Sequence, residues 1–115
     1  MTDFEFGDVV LVPFPFTDQS SIKKRPAVVV SSAIYNRDRP DIIILAVTSQ
    51  IAVPSQIGTF LVQDWKAAGL LKPSVVKPII TTLQKTLVKK KLGSLVSQDI
   101  QSLQNALQSI FGGFS

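Results

Sequence analysis

Three short runs of apolar, mostly β-branched residues constrain the fold of this chain more than any other feature. They lie within Asp8–Phe16, Ala27–Ser32 and Ile42–Val47. Runs of this length and composition favour strands over helices, and the unbroken valines of the second run predict a strand that is buried on both faces. The segments between the runs, Thr17–Lys24 and Ala33–Pro40, are polar or turn-rich and are predicted to be loops. The first half of the chain therefore predicts a β-sheet.

The middle of the chain carries weaker strand patterns. Gly58–Gln63 partly alternates apolar and polar residues, and Ser74–Leu83 is rich in β-branched residues but contains Pro78. Because proline cannot donate to a strand ladder, we expect one strand in the first segment and one or two strand pieces in the second. Asp64–Leu70, between them, fits one helical turn with Asp64 as its N-cap.

The C-terminal segment has a helical period instead. Ser97 is the expected N-cap, Asp99 lies in the favourable first turn, and Gly112 follows the last apolar position. Successive apolar residues are three or four positions apart, as on one face of a helix: Ile100, Leu103, Leu107 and Ile110. One face of this helix should therefore cover the sheet.

Together these elements predict a mostly β fold with a C-terminal helix over residues 97–111. Five to six short strands would form a small barrel or a strongly twisted sheet capped by that helix. The chain has no internal repeat and no linker-like stretch, so we expect a single domain over residues 1–115. No apolar run approaches the roughly 18 residues of a membrane span.

The composition excludes several kinds of active site. The chain has no cysteine and no histidine, which excludes thiolate nucleophiles, ordinary structural zinc sites and the usual general base at neutral pH. Glu5 is the single glutamate, and the aspartates show no paired D-x-D spacing. Since metal-dependent nuclease chemistry needs clustered carboxylates, the sequence predicts a site without metal or cofactor.

Charge and the N-terminus suggest a partner and a compartment. The formal net charge is +4 and the pI about 9.6, which suits a polyanionic partner, although modest basicity also serves solubility. The first residues, MTDFEFGD, are acidic and lack an apolar signal core, and a chain without cysteine is not built for disulfides. The predicted location is the cytoplasm.

Arg25 is the most informative single residue. It ends a polar loop and precedes the second apolar run, while the third run ends on Thr48, Ser49 and Gln50. A planar, always cationic guanidinium beside hydroxyl groups would suit a phosphodiester, if these strand ends meet in space. Lys23–Lys24, next to Arg25, would then contact the same polyanion.

Simpler interpretations exist for the same residues. Arg25 could be an exposed loop charge paired with Asp18 or Asp8, and Thr48 could be an ordinary strand-end threonine. Lys89–Lys91 is interpreted as a solvated surface, since most charge runs are.

Several motifs resemble those of the MazF/PemK family of toxin endoribonucleases. The string GDVVLVPFPFTDQSSIKKRPAVVVSS resembles the first third of that family, with Gly7–Asp8 and Arg25–Pro26 at matching positions. AVTSQI resembles the family's strand that ends in Thr, a small residue and Gln. The run KPSVVKPIITTLQKTLVKKKLGSL resembles PemK-like members.

The resemblance implies an SH3-like barrel with a C-terminal helix, usually as a homodimer. It implies metal-independent, sequence-selective cleavage of single-stranded RNA through attack by the ribose 2′-hydroxyl, and a cognate antitoxin as partner. DNA would be contacted only through a complex with the antitoxin. Arg25 and Thr48 would carry catalysis. The loop Asp18–Lys24 lacks the Gly-Ser-Glu segment of many MazF members. Either Ser20 or Ser21 could therefore correspond to the serine of that segment. The expected RNA-binding residues are Ser20, Ser21, Lys23, Lys24, Ser49 and Gln50.

Two other functions remain open at this point. A barrel of this kind could poison a protein target such as gyrase without being an enzyme, in which case exposed Phe111 and Phe114 would matter and Arg25 would not. It could also be an inactive relic that binds RNA or a partner.

Overall fold

The structure is a computed structural model that describes residues 3–14, 23–51 and 56–112. Six strands form one antiparallel sheet with the order β4-β5-β3-β2-β1-β6, which curls into a half-barrel as the strand pattern predicts. The elements are β1 (Asp8–Phe14), β2 (Lys23–Val29), α1 (Ala33–Asp38), β3 (Asp41–Thr48), β4 (Phe60–Leu61), β5 (Val75–Gln84), a 3-10 turn (Lys85–Leu87), β6 (Lys90–Ser94) and α2 (Ser97–Ile110).

The sheet is packed on both faces, which explains the continuous apolar runs. Successive residues of a strand point to opposite faces, so neighbours in β1, β2 and β3 belong to different core clusters. One cluster contains Val9, Val28, Leu45, Val47, Val76 and Leu103 of α2. The other contains Phe4, Val10, Val12, Ala27, Val29, Ile42, Ile44 and Ala46. The prediction that the second apolar run is buried on both faces is confirmed.

Helix α2 is present as predicted, but its capping differs. Val96 occupies the N-cap position and makes no side-chain capping hydrogen bond, so the expected Ser97 cap is wrong. Asp99 is fully buried, and its carboxylate accepts from the backbone N–H groups of Gln63 (2.8 Å) and Asp64 (3.0 Å). That carboxylate joins the helix to the chain after β4. Neither helix of the described part is long and apolar enough to cross a bilayer.

Helix α1 was not expected, because Ala33–Pro40 is predicted as a loop. Ser32 caps it by accepting from the backbone N–H of Tyr35 (3.2 Å). Buried Asn36 donates to the carbonyl oxygens of Phe4 (2.9 Å) and Ser31 (3.0 Å). Hydrogen bonds from distant parts of the chain therefore stabilise a helix that is too short to be marked by sequence periodicity.

Strand bounds differ from the predictions where pairing is long-range. β2 begins at Lys23 because it pairs with β1 across the polar residues 23–25. β5 continues through Pro78, which lies at a register shift where Ile80 pairs with Leu45 and Lys77 with Ala46. A bulge of this kind tolerates a residue without an N–H donor.

Candidate functional site

Arg25 and Thr48 come together because of the register between β2 and β3. Ala27 pairs with Ala46, and continuing this antiparallel register by two residues places Arg25 across from Thr48. Both side chains then extend from the same face of the sheet. Both residues are half-buried and line the same two adjoining depressions. The strand ends that carry the predicted guanidinium and hydroxyl therefore meet in space.

The larger depression, hereafter the cationic groove, has a volume of about 660 Å³. Its floor is apolar and includes Leu11, Pro26, Val47, Leu70 and Leu92. Its cationic lining residues are Lys24, Arg25, Lys72 and Lys90, and no acidic residue lines it within the described ranges. Apolar lining together with several cations suits an anion that also has an apolar or aromatic part.

The smaller depression, hereafter the side pocket, has a volume of about 240 Å³. Arg25, Val47 and Thr48 line it as well as the cationic groove, and Gln50 and Lys77 complete its polar lining. Arg25 and Thr48 therefore lie at the boundary between two cavities, each of which contains at least one further cation.

Two glycines determine how closely the turn 64–70 approaches β6 at one wall of the cationic groove. Gly69 has a positive φ of 85°, and a Cβ there would collide with the carbonyl oxygen of Leu92. A Cβ on Gly93 would collide with the carbonyl oxygen of Ala68. Because neither residue has a side chain, the backbone of the turn 64–70 lies directly on β6. This contact brings Lys72, after the turn, to the same groove as Lys90 on β6.

The hydroxyl of Thr48 has a defined orientation. Its Oγ1 accepts a hydrogen bond from the backbone N–H of Gln50 at 3.2 Å. A hydroxyl has one hydrogen to donate and two lone pairs, so accepting this bond leaves its O–H to donate in another direction. The arrangement suits contact with a phosphoryl oxygen.

The other predicted contact residues divide into three groups. Lys24 and Ser49 line the cationic groove, and Gln50 lines the side pocket. Lys23 is exposed at the start of β2, where it pairs with Phe14, and does not line either depression within the described ranges. Ser20 and Ser21 lie outside the described residues, as does Asp18.

Asp8 has a structural role. It is buried, and its carboxylate accepts from Ser94 Oγ (2.8 Å) and from the backbone N–H of Glu5 (2.9 Å). Lys91 Nζ lies 3.2 Å from its Oδ2. These contacts join the start of β1 to β6, so the carboxylate serves strand pairing and is not the counter-ion that one interpretation assigned to Arg25.

Gly7, the partner of Asp8 in the Gly-Asp motif, is also required by packing. It has a positive φ of 90°, and a Cβ there would overlap the side chain of Ile100 on α2. Its backbone N–H donates to Val29 O at 2.8 Å, and its carbonyl accepts from Leu95 N at 2.9 Å. The motif therefore positions the helix over the sheet.

Sequence reasoning missed three lysines of the site. Lys90 belongs to the run that was interpreted as a solvated surface, but it lines the cationic groove while Lys91 pairs with Asp8. Lys72 and Lys77 were given no role, although they line the cationic groove and the side pocket. All three are far from Arg25 in sequence, so only the folded structure reveals them.

A second large groove lies between α2 and the sheet. It has a volume of about 620 Å³, a floor that includes Phe6, Val30 and Leu45, and a rim that includes Gln104 and Gln108 of α2. Within the described ranges no charged residue lines it. We call it the amide-rimmed groove.

Within the described residues, the one titratable pair with a clear pKa shift is at the opposite end of β3 from Thr48. Arg39 Nε donates to Asp41 Oδ1 at 3.2 Å, and this bond lowers the pKa of the Asp41 carboxyl. Elsewhere in the described ranges, no group of three His, Cys, Asp or Glu residues is placed to hold a metal ion.

A family model described as "PemK-like, MazF-like toxin of type II toxin-antitoxin system" matches residues 5–111. The chain belongs to this family. The match covers nearly the whole sequence, including both motifs that meet in the cationic groove. No curated protein sequence matches significantly.

Solved structures of the MazF type share the fold. An endoribonuclease from a mycobacterial species, in complex with its cognate antitoxin, aligns with a TM-score of 0.75 and 17% identity, covering 96% of this chain and 98% of that one. MazF from Deinococcus radiodurans aligns with a TM-score of 0.73 and 19% identity, covering 96% and 97%. The MazE–MazF structure from the same organism gives 0.72 and 21%, covering 95% and 96%. At these identities the likeness establishes the fold of this family member.

Proposed function

We propose that this protein is the toxin of a type II toxin–antitoxin pair and that it cleaves single-stranded RNA without a metal ion. The observation that supports the proposal most strongly is that Arg25 and Thr48, the two residues singled out by the family motifs, line one cationic groove. Their shared position, the lysines around them and the family membership all favour a phosphodiester substrate.

The reaction would be an internal transesterification. The ribose 2′-oxygen forms a bond to the adjacent phosphorus while the bond from phosphorus to the 5′-oxygen breaks. The 2′-hydroxyl proton is lost and the leaving 5′-oxygen gains one, so the products are a 2′,3′-cyclic phosphate and a 5′-hydroxyl.

The chain's own residues would stabilise the charge that develops on the phosphoryl oxygens. Arg25 can do so with two parallel N–H donors, and removing one such donor typically costs about 3–4 kcal/mol of transition-state stabilisation. Thr48, whose Oγ1 already accepts from the Gln50 N–H, would donate to a non-bridging oxygen. We assign Arg25 to charge stabilisation because a guanidinium is not a ready proton acceptor.

Single-stranded RNA fits the groove better than a duplex does. Bases that are free of pairing can lie against an apolar floor while the backbone follows the positive charges. Leu11, Pro26 and Leu92 supply apolar lining in the same groove as Lys24, Lys72 and Lys90.

Cleavage of a long RNA in EDTA tests this proposal. We expect the wild type to cut and Arg25→Ala to lose about a hundredfold or more in rate. Arg25→Lys keeps the positive charge but loses the planar set of N–H donors, so it should recover only a small part of the lost cleavage rate. Lys66→Ala is the matched control, since Lys66 lies beside the Trp65 ring (5.5 Å) and outside both depressions. Equal cleavage by wild type and Arg25→Ala would refute the assignment of Arg25.

The family also supports a proposal for partners and setting. One similar structure holds an endoribonuclease in complex with its cognate antitoxin, and another holds MazE with MazF. By extension, we propose that this chain is inhibited by a cognate antitoxin, forms a homodimer and acts in the cytoplasm. Co-expression with candidate antitoxins and measurement of mass in solution would test the first two points.

A further inference from the structure

We propose that the RNA strand crosses Arg25 and Thr48 from the cationic groove into the side pocket, and that Lys72 and Lys90 bind the phosphate next to the cleaved one. Lys77 would bind the backbone on the other side. This inference rests on the proposed function, and it assigns roles to three lysines that the sequence motifs leave unassigned.

The first argument is that the two cavities share Arg25, Val47 and Thr48. A phosphate held by Arg25 and Thr48 therefore lies at their boundary, and the strand on either side of it has a cavity to enter. A groove that ended at Arg25 would hold only one flank of the cleaved bond.

The second argument is the distribution of charge. Lys72 and Lys90 are exposed side chains brought to one groove by the Gly69–Gly93 contact. No carboxylate lines that groove in the described residues, whereas the neighbouring Lys91 is neutralised by Asp8. Exposed cations without a nearby carboxylate gain most from neutralising a phosphate, because counterions are released from the RNA.

The third argument is the difference in size. The cationic groove, at about 660 Å³, falls within the range of small-molecule sites, while the side pocket, at about 240 Å³, falls below it. The larger cavity can hold a base on its apolar floor. The smaller one suits the backbone alone, with half-buried Lys77 as its cation.

A probe that cannot be cut separates binding from chemistry. A fluorescent 20-nucleotide RNA of mixed sequence, 2′-O-methylated throughout, lacks the attacking hydroxyl, and its affinity can be measured by anisotropy over a range of salt. Each neutralised phosphate contributes about 0.7 to the slope of log affinity against log salt for single strands. Lys77→Gln and the double variant Lys72→Gln with Lys90→Gln should each lower the slope by about that amount, and each of the two single variants, Lys72→Gln and Lys90→Gln, should lower it by part of that amount.

Two controls accompany these variants. Lys66→Gln removes an exposed lysine outside both depressions and should keep the wild-type slope. Lys72→Arg keeps a cation at the same position and should also retain the wild-type slope. All the substituted lysines except half-buried Lys77 are exposed, so the melting temperatures of the variants should change little. Where a variant has an altered melting curve, the Lys→Arg and Lys→Met variants at the same position are compared instead.

The outcomes separate this inference from the proposed function. Slopes of Lys72→Gln and Lys90→Gln equal to that of Lys66→Gln would overturn the inference, even if Arg25→Ala abolishes cleavage of unmodified RNA. Reduced slopes would support it, even if Arg25→Ala still cuts, in which case the proposed chemistry fails and the path of the RNA stands. An unchanged slope for Lys77→Gln alone would overturn the part that extends into the side pocket.

Discussion

The cationic groove and the amide-rimmed groove are nearly the same size, about 660 and 620 Å³, and both use strand β3 as part of their lining. They differ in charge. Four cations line the first groove and, within the described ranges, no charged residue lines the second. Size and an apolar floor therefore do not distinguish the polyanion site that we propose from the other groove. The cations around the floor do, because the attraction of a phosphate backbone is electrostatic.

The two grooves also differ in the contacts that hold their walls in position. Backbone contact at Gly69 and Gly93 positions the cationic wall, whereas the amide-rimmed groove is bounded by α2, which Asp99 joins to the chain after β4. Charged side chains thus extend from a wall formed by main chain. Neutral ones extend from a helix that packs through its apolar face.

The largest effect expected from a single group, apart from Arg25, concerns the Thr48 hydroxyl. Thr48→Val keeps the shape and removes the donor. The loss of one hydrogen bond to a charged oxygen, about 1.5–3 kcal/mol, should reduce single-turnover cleavage by roughly tenfold to a hundredfold. Thr48→Ser should recover most of the rate. Cleavage by Thr48→Val at the wild-type rate would mean that the cationic groove acts through charge alone.

A smaller effect is expected from adding charge to the other groove. Gln104→Lys with Gln108→Lys gives the amide-rimmed groove two cations without touching Arg25 or Thr48. Cleavage should stay within about twofold of the wild type, since exposed substitutions of this kind change stability by about 0.5 kcal/mol or less.

The amide-rimmed groove also offers a test of the alternative function, in which the protein poisons a protein target without being an enzyme. Phe111, which is 42% exposed, lines it. If Phe111→Ala abolished growth arrest and left RNA cleavage intact, toxicity would act through contact with a protein and the contrast between the grooves would have been misread.

The smallest effect is expected outside both grooves, at Asp41. Its pKa is lowered from the usual 3.8 by Arg39, so the pair stabilises the folded state above that pH and loses this contribution as the pH falls through the lower, folded-state value. The melting temperature of Asp41→Asn should be slightly below that of the wild type near neutral pH, and the two should converge in strong acid. RNA cleavage by this variant should be unchanged. A gap that widens in acid would contradict the assigned direction.

Much of the fold could be predicted because strand composition and core burial agree. The runs in β1, β2 and β3 are apolar on successive residues, and the structure buries both sets in separate clusters. Helix α1 could not be predicted in this way. Its position depends on Asn36, which donates to Phe4 and Ser31, and such distant hydrogen bonds leave no periodic pattern in the sequence.

The candidate site was predictable only in part for a similar reason. Arg25 precedes one apolar run and Thr48 follows another, so the pattern marks them, and the β2–β3 register brings them together. Lys72 and Lys90 lie in segments with no such mark. They reach the groove because two glycines far apart in sequence allow a close backbone approach, which composition and charge patterning do not reveal.

The meeting of Gly69 and Gly93 limits how this protein could be re-engineered. Since no side chain stands between the two backbones, trimming residues cannot widen the opening there, and enlarging either glycine would push the turn away from β6. A different substrate preference would therefore require substitutions in the surrounding side chains that change their length, polarity or hydrogen-bond donors. The width of the opening would stay the same.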